Sequence, residues 1–389
     1  MANYISSNAN RFYVAVESAY GQAAPVVPAN RFPAVRLQAQ QTLESARRQD
    51  KTGTRTFMGV PTTSRRSTAF EVRTYLRSWS GNGQPSYGPL FQAAMGASPN
   101  LSMGLQVAAA QSDVQIQTTQ AHGLSVGSGV SFGGELRFVM SVPDTSTIVL
   151  NAGFSNSPPA GAALSPAITY SLSTALPSVT LYDYWDPTTA VSRLITGAAA
   201  DTFAMTVEGD FHEFVFSGPA CDLLASNSFA SGAAGLSSFP QEPPLTAFDY
   251  SIVPGHLGQA WLGSAPDQFF TLTGASVEVK NNIDVRNQEF GSSYPRAIVP
   301  GMREVISSFM LFAQDDAQTA ALYAAAKQRT PVTAMLQLGQ QTGQLMAIYL
   351  PNVTPEIPNY NDSQTRLQWA FKNNFAQGTA ENEVYIAFA

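Results

Sequence analysis

Gly123-Leu124-Ser125-Val126-Gly127 has the spacing of a nucleophile elbow, and His122 stands beside it. That motif exposes a serine on a sharp strand-to-helix turn and needs an acid and then a histidine downstream. Here the next segment, Val130–Phe132, reads as a strand, and the later histidines, His212 and His256, fall in a different expected domain. A β-turn with glycines at positive φ explains the spacing better; an esterase using Ser125 is the less favoured reading. His122, His212 and His256 are too scattered to form a metal-ligand set. No phosphate-cradling glycine loop is present. Asp183, Asp186, Glu208, Asp210 and Glu213 form a loose acidic group. Their spacing permits paired-carboxylate chemistry, but a solvated acidic face fits them better. Cys221 is the only cysteine, so no intrachain disulfide can form, and it reads as a small buried hydrophobe. The sequence thus implies no enzyme, no metal and no cofactor.

Charge is the next informative feature. Charged residues make up only 12% of the 389, about half the usual share. Gly, Pro, Ser, Thr, Ala and Gln are abundant, which implies broad polar but uncharged surfaces. Such surfaces desolvate cheaply and suit a chain that packs against copies of itself. Residues 1–77 carry 11 Lys/Arg and 4 Asp/Glu, whereas residues 78–279 carry 2 and 14. A basic arm beside an acidic body reads as self-complementary association. The arm bears Arg47, Arg48, Asp50, Lys51, Arg55, Arg65 and Arg66. Only Phe57 supplies an aromatic ring there, so a nucleic-acid groove is disfavoured. No basic-then-apolar leader opens the sequence, and no apolar run is long enough to span a bilayer.

The elements that must position these residues are mostly strands. Ala34–Gln40 and Phe70–Arg77 alternate as strands around a long polar stretch, and Tyr87–Ala97 reads as a short helix. Later, Phe270–Lys280 and Glu304–Phe312 flank polar Asn281–Gly301. Asp315–Arg329 is the best helix, with Asp315 as cap and Gln318 in the capping-box place. Four strand-like segments follow each helix: Val179–Trp185, Val191–Thr196, Thr202–Glu208 and Phe211–Ser217, then Val332–Leu338, Leu345–Leu350, Thr365–Phe371 and Val384–Phe388. The repeated order implies an internal duplication. The expected fold is mainly β with two short helices. A first repeat covers 1–104 and 174–224, an inserted small β-domain 105–173, a linker 225–267, and a second repeat 268–389.

The second half resembles the major tail tube proteins of siphophages. The resemblance lies in Ser276-Val277-Glu278-Val279-Lys280-Asn281-Asn282 before Glu289-Phe290-Gly291, and in Val299-Pro300-Gly301-Met302-Arg303-Glu304-Val305. It continues in Gln337-Leu338-Gly339 with Gly343, in Ile348-Tyr349-Leu350-Pro351, and in the closing Asn382–Phe388. The first half is similar more loosely, through Tyr20-Gly21 and the basic hairpin. The inserted stretch Thr118–Leu124 resembles small β-modules of phage tail and fibre proteins, so a surface- or sugar-binding tail module is the main alternative. No single motif is diagnostic; the ordered set carries the likeness.

The resemblance implies a duplicated β-sandwich/barrel fold whose copies close into stacked rings around a DNA channel. The duplication implies three copies per ring with pseudo-sixfold symmetry, or six as the alternative. The implied partners are further copies, a tape measure protein, terminator and tip proteins at the tail's ends, and genomic DNA passing without specific binding; no membrane is involved. Such a protein is made in the bacterial cytoplasm and resides in the virion tail. The basic hairpin is expected to join successive rings. Glu208, Asp210, Glu278 and Asp284 are expected to line the channel, and the insertion is expected to face outward and be dispensable.

Overall fold

The computed structural model describes residues 4–46, 49–60, 64–185, 191–207, 209–245, 251–263, 267–269, 271–363 and 365–389. The chain is built from antiparallel strands and two α-helices, α1 (Gly88–Met95) and α2 (Ala317–Gln328). Seven strands form one continuous wall. In spatial order they are Arg36–Glu44, Arg65–Tyr75, His212–Ala220, Thr202–Val207, Leu272–Lys280, Glu304–Phe312 and Gln368–Ala376. Each alternates in the way a sheet with one wet face requires. Phe70, Val72, Phe203, Met205, Phe214, Phe216, Val277, Val279, Phe309 and Leu311 enter one apolar core.

Behind that core lie two smaller groups of strands. The first runs Asp222–Ala225, Arg193–Ala198, Val179–Trp185, Asn10–Val16, Arg31–Phe32. The second runs Tyr385–Phe388, Met346–Thr354, Val332–Leu338, Gly258–Gly263, Asp267–Gln268. Reading each group along the chain gives the same order of pairing. Five of these strands, Asn10–Val16, Arg31–Phe32, Asp222–Ala225, Gly258–Gly263 and Asp267–Gln268, were not anticipated. Gly258–Gly263 lies in the stretch expected to be a linker, as do further packed residues. Phe229, Leu236 and Phe239 cover Tyr13, Tyr182, Tyr184 and Leu194 on the outer face of the first group. The expectation of a linker over 225–267 is therefore corrected: its Gly- and Ser-rich composition masked a few well-spaced aromatic anchors.

The two helices differ in burial. In α1 every residue but Gln92 is buried, and Gly96 at φ 98° ends it. Phe91 meets the rings of Tyr170, Phe203, Phe214, Phe216 and Phe388 with centroids 5.0–5.6 Å apart. In α2 only Thr319, Leu322 and Ala326 are buried. Its cap is Asp316, not Asp315: the Asp316 carboxylate accepts from the Thr319 N–H at 2.6 Å. One residue's shift puts the oxygen opposite the third N–H of the first turn, where it satisfies an orphan donor.

The insertion holds its own five-stranded sheet, in the order Val107–Ala110, Gln115–Thr118, Thr147–Leu150, Glu135–Ser141, Gly129–Phe132. Its core is Val107, Ile116, Leu124, Val130, Val139, Ile148, Leu150, Phe154 and Leu164. The boundary differs from the expected 105–173. Ala167–Ser171 leaves that sheet and pairs with Tyr385–Phe388 on one side and Asn100–Ser102 on the other.

Candidate assembly surfaces

Alternation along the wall leaves a polar face opposite the core. Glu71 and Glu213 lie 2.9 and 3.5 Å from the Arg73 guanidinium, and Glu278 lies 3.2 Å from Lys280. Gln38, Gln40 and Thr42 extend this face toward the sheet's edge. Charges of opposite sign interleave on this face. Glu278 stands on this polar face. Glu208 and Asp186 lie outside the described residues. Asp210 is exposed in the turn before His212–Ala220. Asp284 stands in a two-stranded hairpin, Asp284–Val285 with Ile298–Val299, beyond the end of the wall's strands.

The halves of the chain meet inside the wall. Thr202–Val207 pairs with Leu272–Lys280 over six registered positions, from Thr202↔Lys280 to Val207↔Ala275. Asn281, 2% exposed, locks this seam. Its Nδ2 donates to the Ala94 carbonyl at the end of α1 and to the Ala200 carbonyl, at 3.0 and 2.9 Å. Its N–H donates to the Asp201 carbonyl, and Arg303 Nε donates to its Oδ1. Arg303 also donates to the Ser173 carbonyl and pairs with Glu381. None of this was anticipated; a polar residue directly after an alternating strand was the only signal.

Two edges of the wall stay open among the described residues. At one end Arg36–Glu44 pairs only with Arg65–Tyr75. At the other, Asn359–Asn361 pairs only with Gln368–Ala376. The basic stretch lies at the Glu44/Arg65 end of its strands. Residues 49–60 are exposed except Gly59, with Phe57, Met58 and Val60 among them. Lys51 and Arg55 lie on this arm, as does Asp50; Arg47 and Arg48 lie outside the described residues. Arg65 and Arg66 sit at its base. Arg66 lies 3.3 Å from Asp222 and over the Tyr294 ring, and its N–H donates to the Ser293 carbonyl. Arg65 donates to the Gln288 carbonyl. The second long hairpin, 281–303, thus rests on the first half of the same chain.

The insertion is bolted to the second strand group. Alternation sends Leu336, Ile348 and Ile386 inward and Trp261, Met335, Tyr349 and Tyr385 outward, where Leu136, Phe138 and Ala152 cover them. Arg137, 1% exposed, lies over the Trp261 ring at 4.2 Å. It donates to the Leu136 and Gly153 carbonyls and to Gln337 Oε1, and pairs with Glu135 at 3.2 Å. Burial pulls its guanidinium pKa down, opposed by Glu135.

The chemistry-bearing residues settle into structural work. His122 Nδ1 accepts from the Leu124 N–H at 2.9 Å, and its Nε2 faces the Asp144 carbonyl at 3.2 Å. Both ring nitrogens therefore hold a turn rather than a serine. Gly127, at φ +85°, lies so close to Tyr385 that a Cβ there would stand 2.1 Å from the ring. The second motif glycine thus has a packing cause. Asp183 is fully buried and bound to Arg193 at 2.5 Å, so it lies apart from Asp210 and Glu213. Burial pushes the Cys221 thiol up to about 12, leaving it an inert thiol at neutral pH. Among the described residues no cluster of His, Cys, Asp or Glu has metal-site geometry, and no helix is long and apolar enough to cross a membrane.

The described residues thus form an extended wall with one polar face and two open edges, an exposed arm, and an insertion packed on the second strand group. A sequence model of the phage tail tube protein family matches residues 7–371, and the chain belongs to that family. It is a structural protein of a viral tail and not an enzyme. No curated protein matches the chain.

Proposed function

We propose that three copies close into a ring and that such rings stack into the tail tube of a siphophage. One observation carries this reading: the seam inside the chain. There a short strand, Thr202–Val207, pairs with its hairpin partner and offers its outer edge to the long strand Leu272–Lys280. The second half has the same parts. Asn359–Asn361 pairs with Gln368–Ala376 and keeps its outer edge open, and the long strand Arg36–Glu44 is open at the far side. Pairing Asn359–Asn361 of one copy with Arg36–Glu44 of the next removes both edges, which an isolated sheet would otherwise expose to aggregation. Two tube folds per chain then make a pseudo-sixfold ring from three chains.

The polar face becomes the channel wall, with Glu278 on it. Interleaved charges give a passing polyanion no continuous basic track to grip. The insertion lies two sheets away from that face and so faces outward. The arms join successive rings through Lys51, Arg55 and the residues around them. In this reading the tape measure protein fills the channel before DNA does, and terminator and tip proteins close the ends of the stack. The subunit is made in the bacterial cytoplasm. Native mass spectrometry of rings, or a symmetry-resolved reconstruction of tubes, tests the stoichiometry. Three chains per ring are expected; six would overturn the reading.

A further inference from the structure

The end of the wall opposite the arms carries a cavity with an unmet chemical demand. The register fixes the ends. Glu44 faces Arg65 where the arm leaves, whereas Tyr75 faces Glu213 and Val207 faces His212 at the other end. There, a cavity of about 380 Å³ lies between the seam and the second strand group, bordered by His212, His256, Leu257, Gln259, Phe269 and Leu272.

His212 is 1% exposed. Its Nε2 lies 3.3 Å from the Leu257 carbonyl oxygen, which can only accept. Nε2 therefore carries the proton, and Nδ1 presents a lone pair. That Nδ1 has no hydrogen-bond partner, and neither has the buried Oε1 of Gln259. Buried polar atoms left unpaired are rare in folded proteins. Both orphans here are acceptors, in a cavity whose wall combines apolar Leu257, Phe269 and Leu272 with polar His256, Gln268 and Thr273. The fitting occupant brings N–H or O–H donors together with an apolar side chain.

Arm residues 49–60 have that composition. They offer Lys51, Arg55, the hydroxyls of Thr52, Thr54 and Thr56, and backbone N–H groups within one exposed stretch, and Phe57 and Met58 are 62% and 55% exposed. An arm leg of ten residues reaches at most about 33 Å, enough to enter a neighbouring ring. Asp210 is exposed at the same end, and Glu213 is half-exposed there, so the charges also match head to tail.

We propose that arm residues 49–60 of one copy insert into this cavity of a copy in the adjoining ring. Arm donors pair with His212 Nδ1 and Gln259 Oε1, and Phe57 or Met58 fills the apolar wall. This deepens the reading that arms join rings, and depends on it.

The test uses the full chain in a Cys221→Ser background. Met58→Cys with His256→Cys, mildly oxidised in assembled tubes, should give a covalent ladder of copies that unstacked rings do not give. Gln259→Leu and His212→Leu should stay folded and raise the critical concentration for tube growth about fivefold. Gln259→Leu decides the matter if His212→Leu fails to fold. An arm variant with residues 50–59 replaced by glycine and serine separates the two ideas. Tubes from that variant would overturn arm-mediated stacking, and docking with it. Rings that no longer stack, while the cysteine pair stays unlinked and Gln259→Leu grows normally, would leave stacking in place and overturn docking in this cavity.

Discussion

Arg137 is where the insertion and the second strand group become one unit, so Arg137→Ala should destabilise both together. The guanidinium is 1% exposed and makes three hydrogen bonds to the Leu136 and Gly153 carbonyls and Gln337, an ion pair to Glu135, and a stack on Trp261. Removing one partner of a buried ion pair costs about 3–5 kcal/mol. Glu135 keeps two donors, the N–H and hydroxyl of Ser155 at 2.7 and 2.5 Å, which pulls the loss toward the lower end. The vacated volume and two undonated carbonyls push it back, so about 4 kcal/mol is expected. At 2–4 °C per kcal/mol for a unit of 150–250 residues, the melting temperature should fall by about 10 °C. Differential scanning calorimetry combined with tryptophan fluorescence reads the effect, with Arg137→Met as a variant that keeps the stem packed and loses only the polar bonds. A shift below about 2 °C, or an insertion that melts before the fluorescence changes, would refute the claim that the two are fused. Replacing 105–173 with a linker should therefore fail, because it bares Trp261, Tyr349 and Tyr385 and strips Ala167–Ser171 from Tyr385–Phe388.

Two further outcomes follow from buried groups at the seam. Asn281→Ala removes both amide donors from the Ala94 and Ala200 carbonyls and should cost about 2–4 kcal/mol; a urea midpoint unchanged from that of the parent chain would contradict the lock. Burial lowers the His212 pKa below its ordinary value, so the folded chain keeps this ring neutral while the unfolded chain binds a proton from about pH 6.5 downward. Stability should therefore fall as pH drops from 7 toward 5, and a His212→Asn chain should show a flatter fall in calorimetry over that window; identical slopes would count against the buried neutral ring.

How much the sequence shows depends on the kind of signal. Val179–Trp185, Val332–Leu338 and Glu304–Phe312 were legible to the residue, because burial on one or both faces writes a period of two or an unbroken apolar run. Gly258–Gly263 was hidden, since two glycines and a glutamine carry little strand propensity and pairing with Val332–Leu338 supplies the order instead. The insertion's own sheet could be read, whereas its last strand could not be assigned to Tyr385–Phe388, a partner more than two hundred residues away. The assembly residues divided in the same way. Runs of arginine and lysine flagged the arm. Asn281, Arg137 and His212 are single polar residues whose roles come from burial, and burial is a property of the fold.

Under the proposed ring, the seam inside the chain would also set the order in which a tube forms. Asn281 directly follows the strand Leu272–Lys280 and reaches two carbonyls of the first half with one side chain. Under the proposed tandem, the matching position after Arg36–Glu44 is Ser45, which would face the next copy. Serine has one donor where asparagine has two, and a shorter stem. Its hydroxyl lies 2.8 Å from that of Ser64, across the base of its own arm. A junction between copies therefore has strand pairing but no buried amide lock. Each hydrogen bond missing from it is worth about 1 kcal/mol, so it forms more weakly than the covalently linked seam. The seam closes when the chain folds, at no cost in concentration. Under the proposed three-copy ring, the junctions between copies would close only when three of them gather at once, and the exposed arm of each copy would stay available for the next ring until then.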